Sequence, residues 1–150
     1  MATLRERLDD DLKTAARAKD EPRLTLIRAL KSAITYKEIE LGSALDDAGV
    51  VAVIGSMVKQ RRDSVEQFTA GGRAELAARE SAEIAHLQGY LPQQLSRDQL
   101  LALVYAAIAE SGAKSPKEMG AVMKLLKPRI AGRAEGKAVS EAVQARLSGA

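Results

Sequence analysis

Few side chains in this 150-residue sequence combine into recognisable chemistry. His86 is the only histidine and cysteine is absent. Neither a zinc site of the usual nitrogen and sulfur donors nor a serine or cysteine triad can therefore be assembled. His86 reads as an ordinary helix residue. The carboxylates Asp9, Asp10 and Asp11, and Asp46 with Asp47, are donors that hard cations accept. Neighbours one apart in a helix point to different faces, however, so these read as N-terminal or solvated charge. Gly132, Gly136 and Lys137 trace the outline of a phosphate loop. The spacing is one residue short, Ala138 stands where a hydroxyl is needed, and the segment follows a helical pattern rather than a strand. A nucleotide site is rejected on those grounds. Without a nucleophile, a base and oxyanion donors, no catalytic residue is assigned, and no cofactor or metal is expected. The purified chain is expected to show no amide transfer, glutaminase or ATPase activity by itself.

Two basic groupings remain. Lys59, Arg61 and Arg62 lie in a strongly helical segment with Glu66 four residues beyond Arg62, a spacing that allows pairing on a solvated face. The denser grouping runs from Lys114 to Lys137. It contains Lys114, Lys117, Lys124, Lys127, Arg129, Arg133 and Lys137 against only Glu118 and Glu135, with Gly112, Gly120, Gly132 and Gly136 in or beside it. Glycine-containing turns beside helix starts expose backbone N–H groups, which together with lysine and arginine favour phosphate. The whole-chain charge of +3 is mild and by itself says little about partners. Its distribution says more: fourteen basic residues face fifteen acidic ones before Ser96, and nine face five from Ser96 onward.

These residues must be positioned by helices. Alanine, leucine and charged helix formers dominate, and aromatics make up 3%, so the fold class is all-α. Thr3 with Glu6 forms a capping box for a first helix carrying Leu4, Leu8, Leu12 and Ala15. Asp20 and Pro22 open a second, whose stripe is Ile27, Leu30, Ile34 and Leu41 and which Gly42 ends. A third, from Asp47 to Ala70, carries Val50, Ile54, Met57, Val58, Val65 and Phe68, and a fourth from Arg73 to Tyr90 folds back on it after Gly71 and Gly72. Pro92 breaks the pattern, and Ser96 with Gln99 restarts it. This divides the chain into an N-terminal helical domain with long hairpins, 1–92, and a small three-helix domain, 93–150. In the latter, Leu100, Leu101, Val104 and Ile108 mark one helix and Val139, Val143 and Leu147 the last. Between them Ser115, Pro116 and Glu118 give the strongest start signal in the sequence, for a helix that Pro128 must kink or end. The charged start, MATLRERLDDD, lacks an apolar core, and no stretch approaches the roughly 20 apolar residues of a membrane span. The expected location is cytoplasmic, with no membrane partner.

The run Met119 to Lys124, then Pro128, Gly132 to Val139 and Val143, resembles the signature of the GatB/YqeY family. Arg23 to Arg28, Lys59 to Ser64 with Phe68, and Tyr90 to Leu95 are similar to its free-standing YqeY-like members, so the resemblance spans nearly the whole chain. Glu135 stands where the family usually has aspartate; glutamate is the poorer cap for the last helix. The resemblance implies an α-helical N-terminal domain joined to a small helical one. The latter corresponds to the tail of the B subunit of the glutamine-dependent tRNA amidotransferase, which is associated with the outer corner of tRNA. The family label of carbon–nitrogen ligase with glutamine as amide donor follows from that complex, whose catalytic domains this chain lacks. The implied role is a tRNA-binding or tRNA-metabolism accessory, with tRNA or another structured RNA as partner, or a tRNA-modifying or aminoacylation enzyme. Lys124, Lys127, Arg129, Arg133 and Lys137 would contact phosphate, and Gly132 and Gly136 would allow close approach. Scarce aromatics favour backbone and shape contacts over base stacking. Two rival readings stay open: a non-catalytic protein-interaction module docking through the third or fourth helix, and a true amidotransferase component.

Overall fold

The computed structural model describes residues 3–149, which are helical or in turns and connections, with no strand among them. The fold is all-α. The chain divides after Leu91 into two compact units, each closed around its own apolar cluster.

The first unit holds α1 (Leu4–Arg17), α2 (Glu21–Leu41), α3 (Asp47–Ala70) and α4 (Ala74–Gln88). Each of the first three starts on an oxygen that takes an otherwise orphaned N–H. Thr3 accepts from Glu6, Asp20 from Arg23 and Asp46 from Gly49. Gly72, at a φ of +72°, reverses the chain so that α4 packs on α3. Leu8, Leu30, Val50, Ile54 and Leu87 are completely enclosed, each removal from water favouring the fold by about 1.5–3 kcal/mol. The predicted stripe of α2 is corrected at its end. Leu41, the last residue of α2 before the Gly42 cap, is 55% exposed. Val65 and Phe68 are half-buried.

The second unit is built from α5 (Arg97–Ser111), α6 (Met119–Ile130) and α7 (Gly136–Leu147). Its core takes three buried residues from each: Leu100, Val104 and Ala107; Val122, Leu126 and Ile130; Val139, Val143 and Leu147. Spacings of three and four put each trio on one face. Ser96 and Gln99 form the predicted capping box reciprocally, at 3.1 and 2.9 Å. The start signal at Ser115 works differently from the prediction. Pro116–Glu118 is a 3-10 turn and α6 opens at Met119. Ser115 makes no side-chain cap, and the Glu118 carboxylate reaches past it to accept the Lys114 N–H. Pro128 sits in the last turn of α6, which stops two residues later.

Candidate nucleic-acid interface

The basic residues of the second unit are carried by α6, by the connection after it, and by the first turn of α7. On α6 the apolar positions Val122, Leu126 and Ile130 turn inward. Lys124 and Lys127 lie off that face and stay exposed, with Gly120 one turn before Lys124. A Cβ at Gly120 would meet nothing within 4 Å, so this stretch of helix surface is unobstructed.

Ala131 leaves the helix at φ −42° and ψ 115°. Gly132 follows at φ +73°, a conformation that costs a residue with a Cβ about 1–2 kcal/mol. Arg133 then donates its backbone N–H to the Ile130 carbonyl at 2.7 Å and its Nε to the Gln93 carbonyl at 3.3 Å. Glu135 is extended and makes no capping bond. Gly136 and Lys137 form the first turn of α7 and are exposed. A Cβ at Gly136 would meet nothing within 4 Å, and amides of a helix start attract anions.

The five predicted cations are therefore not equivalent. Lys124 and Lys127 are exposed along α6, Arg133 lies half-buried within the short segment joining α6 to α7, and Lys137 is exposed in the first turn of α7. Arg129, on the last turn of α6, pairs instead with Glu110 of α5 at 2.5 Å, so a phosphate would have to compete for it. Lys114 is exposed before the 3-10 turn and Lys117 is exposed within it. Sequence reasoning missed one contributor. Gln93, Gln94 and Leu95, taken as a plain junction, bond to Gly132 and Arg133. The glutamine pair beside Pro92 was the available signal.

The first unit contains a separate polar cluster. A cleft of about 250 Å³ is lined by Arg7, Asp11, Arg23, His86, Gly89 and Tyr90 above leucine and isoleucine. Tyr90 donates its hydroxyl to Asp11, Arg23 lies 3.9 Å from the same carboxylate, and Arg7 covers the Tyr90 ring at 5.2 Å while donating to the Gly89 carbonyl at 3.3 Å. Burial, then the hydrogen bond and charge of Asp11, push the Tyr90 phenol up to about 12. The arginines here are answered by Asp11 and by the carbonyl end of α4, so the cluster ties α1, α2 and α4 together. Arg61 of the other basic grouping pairs with Glu83 of α4 at 2.8 Å. Among the described residues no group of three acidic or histidine side chains could hold a metal ion. None of their helices is long and apolar enough to cross a membrane.

Comparison with known proteins gives a family and a set of relatives. The profile of the family described as Yqey-like protein matches residues 5–147. A protein of Lachancea thermotolerans is 41% identical over 87 residues, 57% of this chain and 46% of its own length. One of Saccharomyces cerevisiae is 39% identical over 87 residues, 57% of this chain and 47% of its own. One of Pyrenophora tritici-repentis is 29% identical over 128 residues, 82% of this chain and 71% of its own. All three are named altered inheritance of mitochondria protein 41, mitochondrial. The chain spans about half the length of the first two. Those names correct the cytoplasmic expectation. A start without an apolar core does not exclude a mitochondrial address.

Proposed function

The chain belongs to the YqeY-like protein family, and on that premise we propose that its second unit binds tRNA or another structured RNA as a non-catalytic accessory of tRNA metabolism. The observation that carries this reading is where the positive charge lies. The chain from Pro92 onward holds nine basic against five acidic residues; Lys124, Lys127 and Lys137 are exposed, and two glycines beside them leave open space for an approaching backbone. Such a surface recognises phosphates and their spacing rather than base edges.

The test replaces Arg129, Arg133 and Lys137 together by alanine. None belongs to the apolar cluster, and the one ion pair lost is half-exposed, so stability is expected to fall by at most about 1 kcal/mol. Affinity for bulk tRNA, measured at several salt concentrations against a duplex DNA of matched length, should drop. The dependence of log affinity on log salt should flatten by about 0.7–0.9 for each phosphate contact removed. Equal slopes for the two proteins, or wild-type binding no tighter to tRNA than to DNA, sinks the reading.

A second reading has its own observation. Tyr36 and Ile39 on α2 are 73% and 76% exposed, and Leu41 follows them. The protein-interaction alternative therefore rests on α2, whereas the stripes of α3 and α4 face one another and the core. Loss of a protein partner on Tyr36→Ser and Ile39→Ser, with tRNA affinity unchanged, would favour it.

A further inference from the structure

The connection between α6 and α7 is held from outside itself. Leu95 donates its backbone N–H to the Arg133 carbonyl at 2.8 Å. Gln94 uses its side-chain amide twice, donating to the Gly132 carbonyl at 2.7 Å and to the Pro92 carbonyl at 3.0 Å. Arg133 returns one bond through Nε to the Gln93 carbonyl. Three hydrogen bonds thus join 93–95 to two consecutive residues of the basic connection. Gly132 is the residue there with the widest conformational freedom, so a bond to its carbonyl restrains the most adaptable point of the connection. Gln94 supplies that restraint by side chain alone, from an exposed position outside the core. The bond through Nε also leaves both Nη groups of Arg133 for a two-point contact with phosphate.

We propose that Gln94 is the positioning residue of the RNA-binding connection: its carboxamide pins Gly132, and with it the Arg133 guanidinium, in the place where phosphate is met. The proposal rests on the RNA-binding reading above. It implies that affinity is lost when the carboxamide is removed, although no cation is.

The experiment uses the full chain as wild type, Gln94→Ala, the nearly isosteric Gln94→Met, and the triple alanine variant as reference. Amide hydrogen exchange should show the Leu95 N–H exchanging faster in both Gln94 variants, while the N–H groups of Val104, Val122 and Val143 keep their protection. Affinity for bulk tRNA should fall roughly five-fold, the worth of about one neutral hydrogen bond. The salt slope should flatten by about 0.7–0.9, one phosphate contact. Unchanged Leu95 exchange in both variants overturns the proposal. So does loss of protection throughout α5, α6 and α7 in both, which would make Gln94 a residue of the fold. If the triple variant flattens the slope and Gln94→Met binds as wild type does, the proposal falls alone. If the triple variant matches wild type, the RNA reading falls and takes the proposal with it.

Discussion

Tyr90, a buried residue, joins a hydroxyl to a carboxylate and an aromatic face to a guanidinium. Its phenol is pushed from an ordinary 10.0 up to about 12, by burial first and by Asp11 second. A group whose proton is held more tightly folded than unfolded contributes stability below its unfolded value and loses that contribution as pH rises through the folded one. The first unit is therefore expected to weaken between about pH 10 and pH 12, and Tyr90→Phe should remove that part of the pH dependence. The variant should also cost about 1–2 kcal/mol near neutrality, the hydrogen bond to a charged acceptor being lost. Denaturant midpoints across the alkaline range, with tyrosinate absorbance followed in parallel, check both. An unchanged alkaline profile in Tyr90→Phe would count against it. The two glycines of the basic connection differ at the same scale. Gly132 is required by its own backbone at φ +73°, whereas Gly136 sits in an ordinary helical turn with open space where a Cβ would be.

For single elements, capping decides what a local signal becomes. Ser96 and Ser115 look alike in sequence, each followed three residues later by Gln or Glu. Only Ser96 closes the reciprocal box, while the glutamate after Ser115 takes the Lys114 N–H and the turn tightens to 3-10 geometry. Ser96→Ala is accordingly expected to cost about 1 kcal/mol. Ser115→Ala, which removes no capping bond, should stay within about 0.5 kcal/mol of wild type. Urea unfolding monitored by helicity distinguishes them, and equal losses would show that Ser115 caps after all. Pro128 shows the same dependence on position. In mid-helix a proline costs about 3 kcal/mol, but here α6 ends two residues later, so little helix is left to disrupt.

Across the whole molecule, two apolar clusters on one chain imply two units able to hold their own structure. The junction is where this can be tested. A fragment beginning at Ser96 keeps the capping residue but loses Gln93, Gln94 and Leu95, and with them three bonds to Gly132 and Arg133. A fragment beginning at Pro92 keeps all of them. Residues 92–150 are expected to fold alone and to be more stable than 96–150 by about 1–3 kcal/mol, at about 1 kcal/mol or less per bond. Thermal unfolding of the two fragments measures the difference. An unfolded 92–150 would mean that the second cluster depends on the rest of the chain.

Much of this was legible from residue order. The all-α class followed from composition, the start and end of α2 from Asp20 and Gly42, and the start of α5 from Ser96, because capping and left-handed termination act within four or five residues of chain. The inward trios of the second unit followed from spacings of three and four, which a helix converts directly into a face. Tertiary structure decided what local pattern could not. Leu41 continues the stripe of Ile34 in sequence yet is exposed at the end of α2, since burial requires a neighbour that spacing alone does not supply. Arg129 counts as one more cation in the basic run, but Glu110, nineteen residues away, engages it. Gln94 lies thirty-eight residues from Gly132, and no periodicity links positions so distant in the chain. Their hydrogen bond exists only because α5, α6 and α7 close on one core and bring the two ends of that span together.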